Sequence, residues 1–251
     1  MMETIRSLGE GSGELGAPAI EEGARRRFDR IYDTLRMRIC LLEYQPLERL
    51  REEDLAAEFK VSRTPIRRVL VKLEAEGLLR SVHGVGTFVT DIDIRGLEQV
   101  YQLRVELAEL IGRLAPVKPD AARLEAFRDA LARCEALVAT PEPRAFSRLN
   151  IDFFHLLNGL TENGPLREIS ERLYFQTTRI WLKTASTLNR FSLMLHEEIR
   201  TFHREVSDIV AAVEIGDLQS VGHIRRAHIA MSFARLRAYS VERGTSDDIR
   251  A

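Results

Sequence analysis

Residues 55–90 read LAAEFKVSRTPIRRVLVKLEAEGLLRSVHGVGTFVT, and the order of signals in this stretch decides how the first third of the chain folds. Leu55, Ala56 and Phe59 share one helical face, and Lys60-Val61 interrupts it. Ser62-Arg63-Thr64-Pro65 then offers a new helix start. Thr64 can cap it, and Pro65 can take the first helical position, where its missing N–H costs nothing. Ile66, Val69, Leu70 and Leu73 recur at helical spacing and predict a buried stripe, closed by Gly77 in a left-handed cap. Two β-prone runs follow, Leu78–Val82 and Thr87–Val89, and His83-Gly84-Val85-Gly86 between them reads as a hairpin. Upstream, Phe28, Ile31, Tyr32, Leu35, Ile39 and Leu42 predict a first helix from about Arg25 that stops at Gln45-Pro46. A short helix at Glu52–Phe59 completes the order helix, helix, helix, hairpin, which is that of a winged helix-turn-helix over residues 25–90.

Outside that block the chain changes character. Residues 1–24 are rich in glycine, lack hydrophobic periodicity and are expected to form a flexible N-terminal arm. From Ile94 onward only helical patterns occur, at roughly 94–115, 121–139, 144–161, 165–187, 190–215 and 218–243. The breaks fall at Pro116/Pro119, Pro141/Pro143, Asn163-Gly164-Pro165, Leu188-Asn189 and Gly216-Asp217. Six helices with short connections over 91–251 predict an antiparallel all-α bundle, so the fold class is mainly α.

Composition narrows the function. No apolar run reaches the length of a membrane span, and no apolar segment behind basic residues marks a secretory signal. Cys40 and Cys134 form neither a disulfide framework nor a CxxC pair. These features predict a cytoplasmic protein without a membrane partner. The net charge is −1, but residues 25–90 carry 14 Arg/Lys against 10 Asp/Glu, whereas residues 91–251 carry 22 against 23. A positive excess confined to one block suits a domain that meets phosphate.

The run from Leu55 to Arg67, together with Leu73-Glu74-Ala75-Glu76-Gly77-Leu78 and Gly84-Val85-Gly86-Thr87-Phe88-Val89, resembles the signature of GntR-type transcription regulators across residues 28–90. The helical remainder is similar to the FadR branch of that family, whose ligand domain (of FCD type) is a helical bundle. Six helices resemble its VanR-like subgroup. The resemblance implies a one-component regulator, more a repressor than an activator. It would bind double-stranded operator DNA as a homodimer and answer to a small effector.

Arg63 and Arg67 project from one face at the start of the third helix, where an arginine can bond two guanine acceptors in the major groove. The Ser62 and Thr64 hydroxyls suit phosphate, Arg68 is a further DNA-binding candidate, and His83 and Gly84 lie where a wing approaches the minor groove. Two positions depart from the family. Glu53 stands where relatives carry arginine, and Val85 takes the basic wing-tip place, with only His83 and Arg80 nearby.

The same resemblance implies a divalent-metal site in the bundle, at positions occupied here by Ile151, His155, Val206 and His228. Isoleucine and valine cannot coordinate a cation, so no metal is expected. A site rebuilt from Asp152, His155, His203 and His228 is the alternative, and His155 and His228 serving as core or effector-contacting histidines is the other. Without metal, an anionic effector needs another cation. Arg104 matches a pocket arginine of relatives, with Tyr101, Asn150, His155 and His228 completing the expected effector pocket. Arg148, Arg179, Trp181 and Lys183 are further polar or stacking candidates. Two other functions remain open on sequence: a metal-dependent enzyme built on the bundle, and an effector-free architectural DNA-binding protein. No nucleophile motif, phosphate loop or HExxH pair supports the first, and catalytic residues are expected to be none.

Overall fold

The computed structural model describes residues 17–91, 96–186 and 191–247. Its N-terminal part comprises α1 (Ala17–Cys40), β1 (Arg49–Leu50), α2 (Glu52–Phe59), α3 (Arg63–Ala75), β2 (Leu79–Val82) and β3 (Gly86–Val89). The bundle comprises α4 (Glu98–Leu110), α5 (Ala121–Ala139), α6 (Pro143–Asn158), α7 (Gly164–Ser186), α8 (Phe191–Glu214) and α9 (Leu218–Asp247).

Local chemistry explains most boundaries. Asp120 caps α5 by accepting from the Arg123 amide at 2.8 Å, and Asp217 caps α9 by accepting from Ser220 N at 3.0 Å. The Glu142 carboxylate takes two amides at the start of α6, with Pro143 in its first turn. α2 has no side-chain cap, but Glu52, Glu53 and Asp54 fill its first turn and suit the positive end of the helix dipole.

The structure corrects several sequence expectations. α1 begins at Ala17, so the arm expected over residues 1–24 is helical from 17 onward, and the rest of it lies outside the described residues. Ser62, not Thr64, is the N-cap residue of α3. Pro65 therefore falls at the third helical position, still within the turn whose N–H groups have no helical acceptor. α4 ends at Leu110 rather than near 115, and Ala115 takes a φ of 46° before Pro116 bridges to Thr161. β1 was not foreseen. It pairs antiparallel with β3, giving a three-stranded wing of order β1-β3-β2.

α4 crosses α9 closely enough that two glycines are needed. A Cβ on Gly112 would fall 1.9 Å from the Leu218 carbonyl oxygen, and one on Gly222 would fall 2.6 Å from that of Glu109. The bundle core is an aromatic stack: Phe153 meets Phe127 and Phe202 edge-on at 5.9 and 5.5 Å. Burial of each such side chain contributes about 1.5–3 kcal/mol.

The two parts are not separately packed. Ile31, Leu35, Ile66, Leu73 and Val89 of the winged helix form one cluster with Ile151 and Phe154 of α6 and Tyr174 and Phe175 of α7. Polar ties reinforce the seam. Arg36 pairs with Glu171 at 2.6 Å, and the Gln176 amide donates to the Glu76 carbonyl at 3.0 Å.

Candidate DNA interface and effector cavity

At the start of α3, Ser62, Arg63, Thr64, Arg67 and Arg68 are all exposed, and the Ser62 side chain makes no capping bond. First-turn amides of a helix have no helical acceptor, so together with these exposed hydroxyls they suit an anion. Arg63 and Arg67 are held by α2: Arg63 pairs with Glu53 at 2.7 Å and Arg67 with Glu52 at 2.9 Å. The Arg67 bridge holds the Glu52 carboxyl below the usual carboxylate range. Arg68 leans over the Phe28 ring at 5.5 Å. At the wing tip His83 and Gly84 are exposed, and the positive φ of Gly84, 72°, turns the hairpin into open space.

Within the bundle, α4, α6, α7, α8 and α9 line a partly open cavity of about 110 Å³. Tyr101, Arg104, Asn150 and His228 line it, as does Trp181. His155 does not; it sits at the surface of α6 with its ring against Phe154 and Phe175, because it points to the seam between the two parts. Arg179, Lys183 and Arg148 also lie elsewhere: Arg179 binds Thr90, Lys183 pairs with Asp91, and Arg148 approaches Glu43 at the surface.

The cavity's charges are mostly paired. Arg225 bridges to Glu205, and Arg235 to Glu198 at 2.6 Å. Sequence reasoning missed these four, since each is an ordinary helix charge until the helices come together. Arg104 differs. Its guanidinium donates to Thr177 Oγ1 at 2.5 Å and lies over the rings of Tyr101 and Tyr174, and among the described residues it has no carboxylate partner. Burial pulls its pKa down, and the nearby Arg225 charge adds to that. The Tyr174 hydroxyl is buried beside it, with no well-formed hydrogen bond among the described residues. Burial also lowers the His228 imidazole.

The residues do not fit a divalent metal. Ile151 and Val206 are 1% and 0% exposed and belong to different apolar clusters, one at the seam and one inside the bundle. Asp152 is engaged by Arg133 at 2.6 Å, and His203 faces Glu135 at 3.9 Å. Among the described residues no three His, Cys, Asp or Glu side chains gather as a metal-holding group.

α7 joins the two regions. Tyr174, Thr177, Thr178 and Trp181 follow helical spacing along one face and line the cavity. The opposite face holds the winged helix: Arg179, 2% exposed, donates to the Thr90 carbonyl at 3.1 Å and to its hydroxyl at 2.7 Å. Thr90 directly follows β3, so cavity and wing share one helix.

A winged helix-turn-helix fused to a cavity-bearing helical bundle defines a ligand-responsive transcription regulator, not an enzyme. Comparison with known proteins agrees. Residues 28–89 match the family of bacterial regulatory proteins of gntR type, and residues 99–231 match the FCD domain. The chain belongs to the GntR family, with an FCD effector domain. It is 34% identical over 144 residues to the Nta operon transcriptional regulator of Aminobacter aminovorans, covering 55% of this chain and 67% of that one. To the HTH-type transcriptional regulator YdhC of Bacillus subtilis it is 28% identical, covering 70% and 82%. The solved structure of E. coli McbR/YncC superposes with a TM-score of 0.69 at 20% identity, over 84% of this chain and 97% of that one, which shows the shared fold. Among the described residues no helix is long and apolar enough to cross a membrane.

Proposed function

We propose that the chain is a cytoplasmic repressor that binds operator DNA as a homodimer and is released by a small organic anion, without a metal. The observation that carries this reading is α7, which lines the cavity with one face and grips the winged helix with the other. Arg104 supports an anionic effector, because a half-buried guanidinium with no carboxylate partner among the described residues can be completed by a ligand carboxylate through two parallel hydrogen bonds. Asn150 and His228 supply further donors beside it. The cavity, about 110 Å³ and partly open to solvent, suits a compact effector. An engineered apolar cavity of ~150 Å³ takes benzene, for scale. Two relatives support repression: one is named a probable D-xylose utilization operon repressor of Paenarthrobacter nicotinovorans, another the histidine utilization repressor of Klebsiella aerogenes.

At the DNA end, Arg63 and Arg67 read base edges, while Ser62, Thr64, Arg68, His83 and Gly84 meet the backbone and the minor groove. Release requires the effector to prefer a geometry in which the recognition helices no longer match their half-sites, since equal affinity for both shifts nothing. The test is a thermal-shift screen of small carboxylates and phosphates on the full chain, with Arg104→Met in parallel. A stabilising anion that also releases DNA, and loses both effects in the variant, supports the assignment. An anion that still stabilises Arg104→Met fully places its site elsewhere.

A further inference from the structure

The wing tip carries Val85, 48% exposed, where a cation would be useful against DNA. The sheet behind it supplies what the tip lacks. In the β1-β3-β2 order, Arg49 of β1 stands opposite Phe88 of β3, and Phe88 stands opposite Arg80 of β2. Directly opposed residues of an antiparallel sheet share a face. Their chain neighbours Leu50, Leu79 and Val89 are 5%, 2% and 0% exposed, so that row turns inward to the core and the Arg49–Phe88–Arg80 row turns outward. Two guanidinium groups therefore flank one half-buried ring on the outer face of the wing.

Neither arginine is spent on a carboxylate. Among the described residues neither forms an ion pair, in contrast to Arg63 and Arg67. The closest acid in sequence, Glu48, accepts from the Gln45 amide at 2.7 Å. Arg49 also reaches toward the tip along its own face. A Cβ on Gly86 would fall 2.7 Å from Arg49 Nε, so the side chain lies across the glycine backbone. The row continues an interface already on the page. β1 runs through Arg51 straight into α2, whose first residues hold the recognition arginines. Three residues span at most about 10 Å, so Arg49 stands between the wing and the start of α2, whose Glu52 and Glu53 in turn hold the arginines of α3.

We propose that Arg49 and Arg80 form a phosphate clamp on the outer face of the wing, holding the DNA backbone beside the recognition helix in place of a basic wing tip. The partner is the sugar-phosphate backbone of a duplex, and the contact carries no base information. The two-residue strand β1 would then have a purpose beyond closing the sheet edge: it carries a cation to the DNA side. This proposal rests on the DNA-binding assignment above.

The test uses a labelled mixed-sequence duplex, because phosphate contact is independent of sequence. Binding is measured by anisotropy across a salt series for the wild-type chain, Arg49→Gln, Arg80→Gln and Arg49→Lys. Each glutamine variant is expected to bind roughly three- to tenfold more weakly and to lose about 0.9 from the salt-dependence slope. Arg49→Lys is expected to keep the slope, and all variants to melt as the wild type does, since both side chains are exposed. Wild-type slopes in both glutamine variants, with Arg63→Ala still weakening binding, would overturn the clamp alone. A wild-type chain that binds no duplex would remove the DNA-binding assignment together with the clamp. If a glutamine variant melts early, Arg49→Lys and Arg80→Lys decide: unchanged slopes with retained charge support a phosphate contact, and lost slopes argue for a packing role.

Discussion

Arg63 and Arg67 reach the DNA face of α3 already bonded to Glu53 and Glu52 of α2. On the proposed DNA-binding role, these side chains would exchange those carboxylates for guanine acceptors or phosphate. Exposed pairs of this kind are weak, so the exchange costs little, and the pairing holds both side chains near their working positions. Arg63→Ala and Arg67→Ala are each expected to weaken operator binding by roughly 10- to 100-fold with melting unchanged, read at one fixed salt concentration. Glu53→Arg removes a repulsive charge and adds a phosphate contact, so it should tighten binding to any duplex and steepen its salt dependence. A loss of affinity in that variant would mean that holding Arg63 matters more than repelling phosphate. The cavity makes a pH prediction. Burial keeps His228 below the ordinary histidine range, so it is neutral at neutral pH in the empty cavity. A bound anion beside it favours the protonated ring and raises its pKa. Binding then takes up a proton, so effector affinity should rise as pH falls through the bound-state pKa and level off below the free-state one. Titration calorimetry in two buffers of different ionisation heat reads the proton uptake, and His228→Gln should abolish it. The arginines of α3 were legible from sequence because turn, proline and spacing fix their face. Their carboxylate partners were not, since pairing of α2 with α3 depends on how the two helices cross.

Among the elements, helices announced themselves wherever a cap or a proline marks the break, and α5 runs over the residues expected of it. β1 was invisible because two residues carry no periodicity; the strand exists only because β3 offers an edge. The dual role of α7 was also hidden. Its residues Trp181 and Arg179 both read as polar or stacking candidates in sequence, and only the assembled fold sends Trp181 to the cavity and Arg179 to the wing. Arg179 is a buried cation whose Nε has no partner among the described residues. Such a group is costly to keep, and its bonds to Thr90 are what offset that cost. If α7 transmits effector binding, Thr90→Val should matter more for coupling than for folding. It removes the hydroxyl's bond from Arg179 and leaves the carbonyl's. It also removes the hydroxyl's donation to the Gly77 carbonyl at 2.9 Å, so a lower melting temperature is expected, and coupling is compared under conditions where the variant is folded. The expected outcome is wild-type affinity for effector and DNA taken separately, with the effector's power to release DNA reduced several-fold, within the 5- to 150-fold span of ordinary couplings. DNA titrations with and without saturating effector measure it. Undiminished release would assign the coupling to another contact, with Gln176 and Glu171 the next to examine.

At the scale of the whole molecule, one recognition helix reads too few base pairs to specify an operator, and a two-fold pair spaced by about a helical turn solves that problem. The α4–α7 face is a candidate for where the pair would meet. α4 and α7 lie against each other. Each leaves a large apolar side chain in water: Leu103 of α4 is 46% exposed, Ile169 of α7 is 47% exposed, and Leu114 just past α4 is 39% exposed. Single exposed leucines are commonplace, but three on neighbouring elements suit a surface that a second copy covers. An interface there would abut the helix that links cavity to wing, so a change in α7 would alter the spacing of the two recognition helices directly. Light scattering at micromolar concentration is expected to give twice the chain mass, and the double change Leu103→Glu with Ile169→Glu to shift it toward the monomer. The dissociated form should keep its effector affinity, because the cavity lies within one bundle. Its operator affinity should fall toward that for random DNA, because each half would bind alone. A monomeric wild-type chain would defeat the two-fold model, and a double variant that stays dimeric would move the interface off the α4–α7 face.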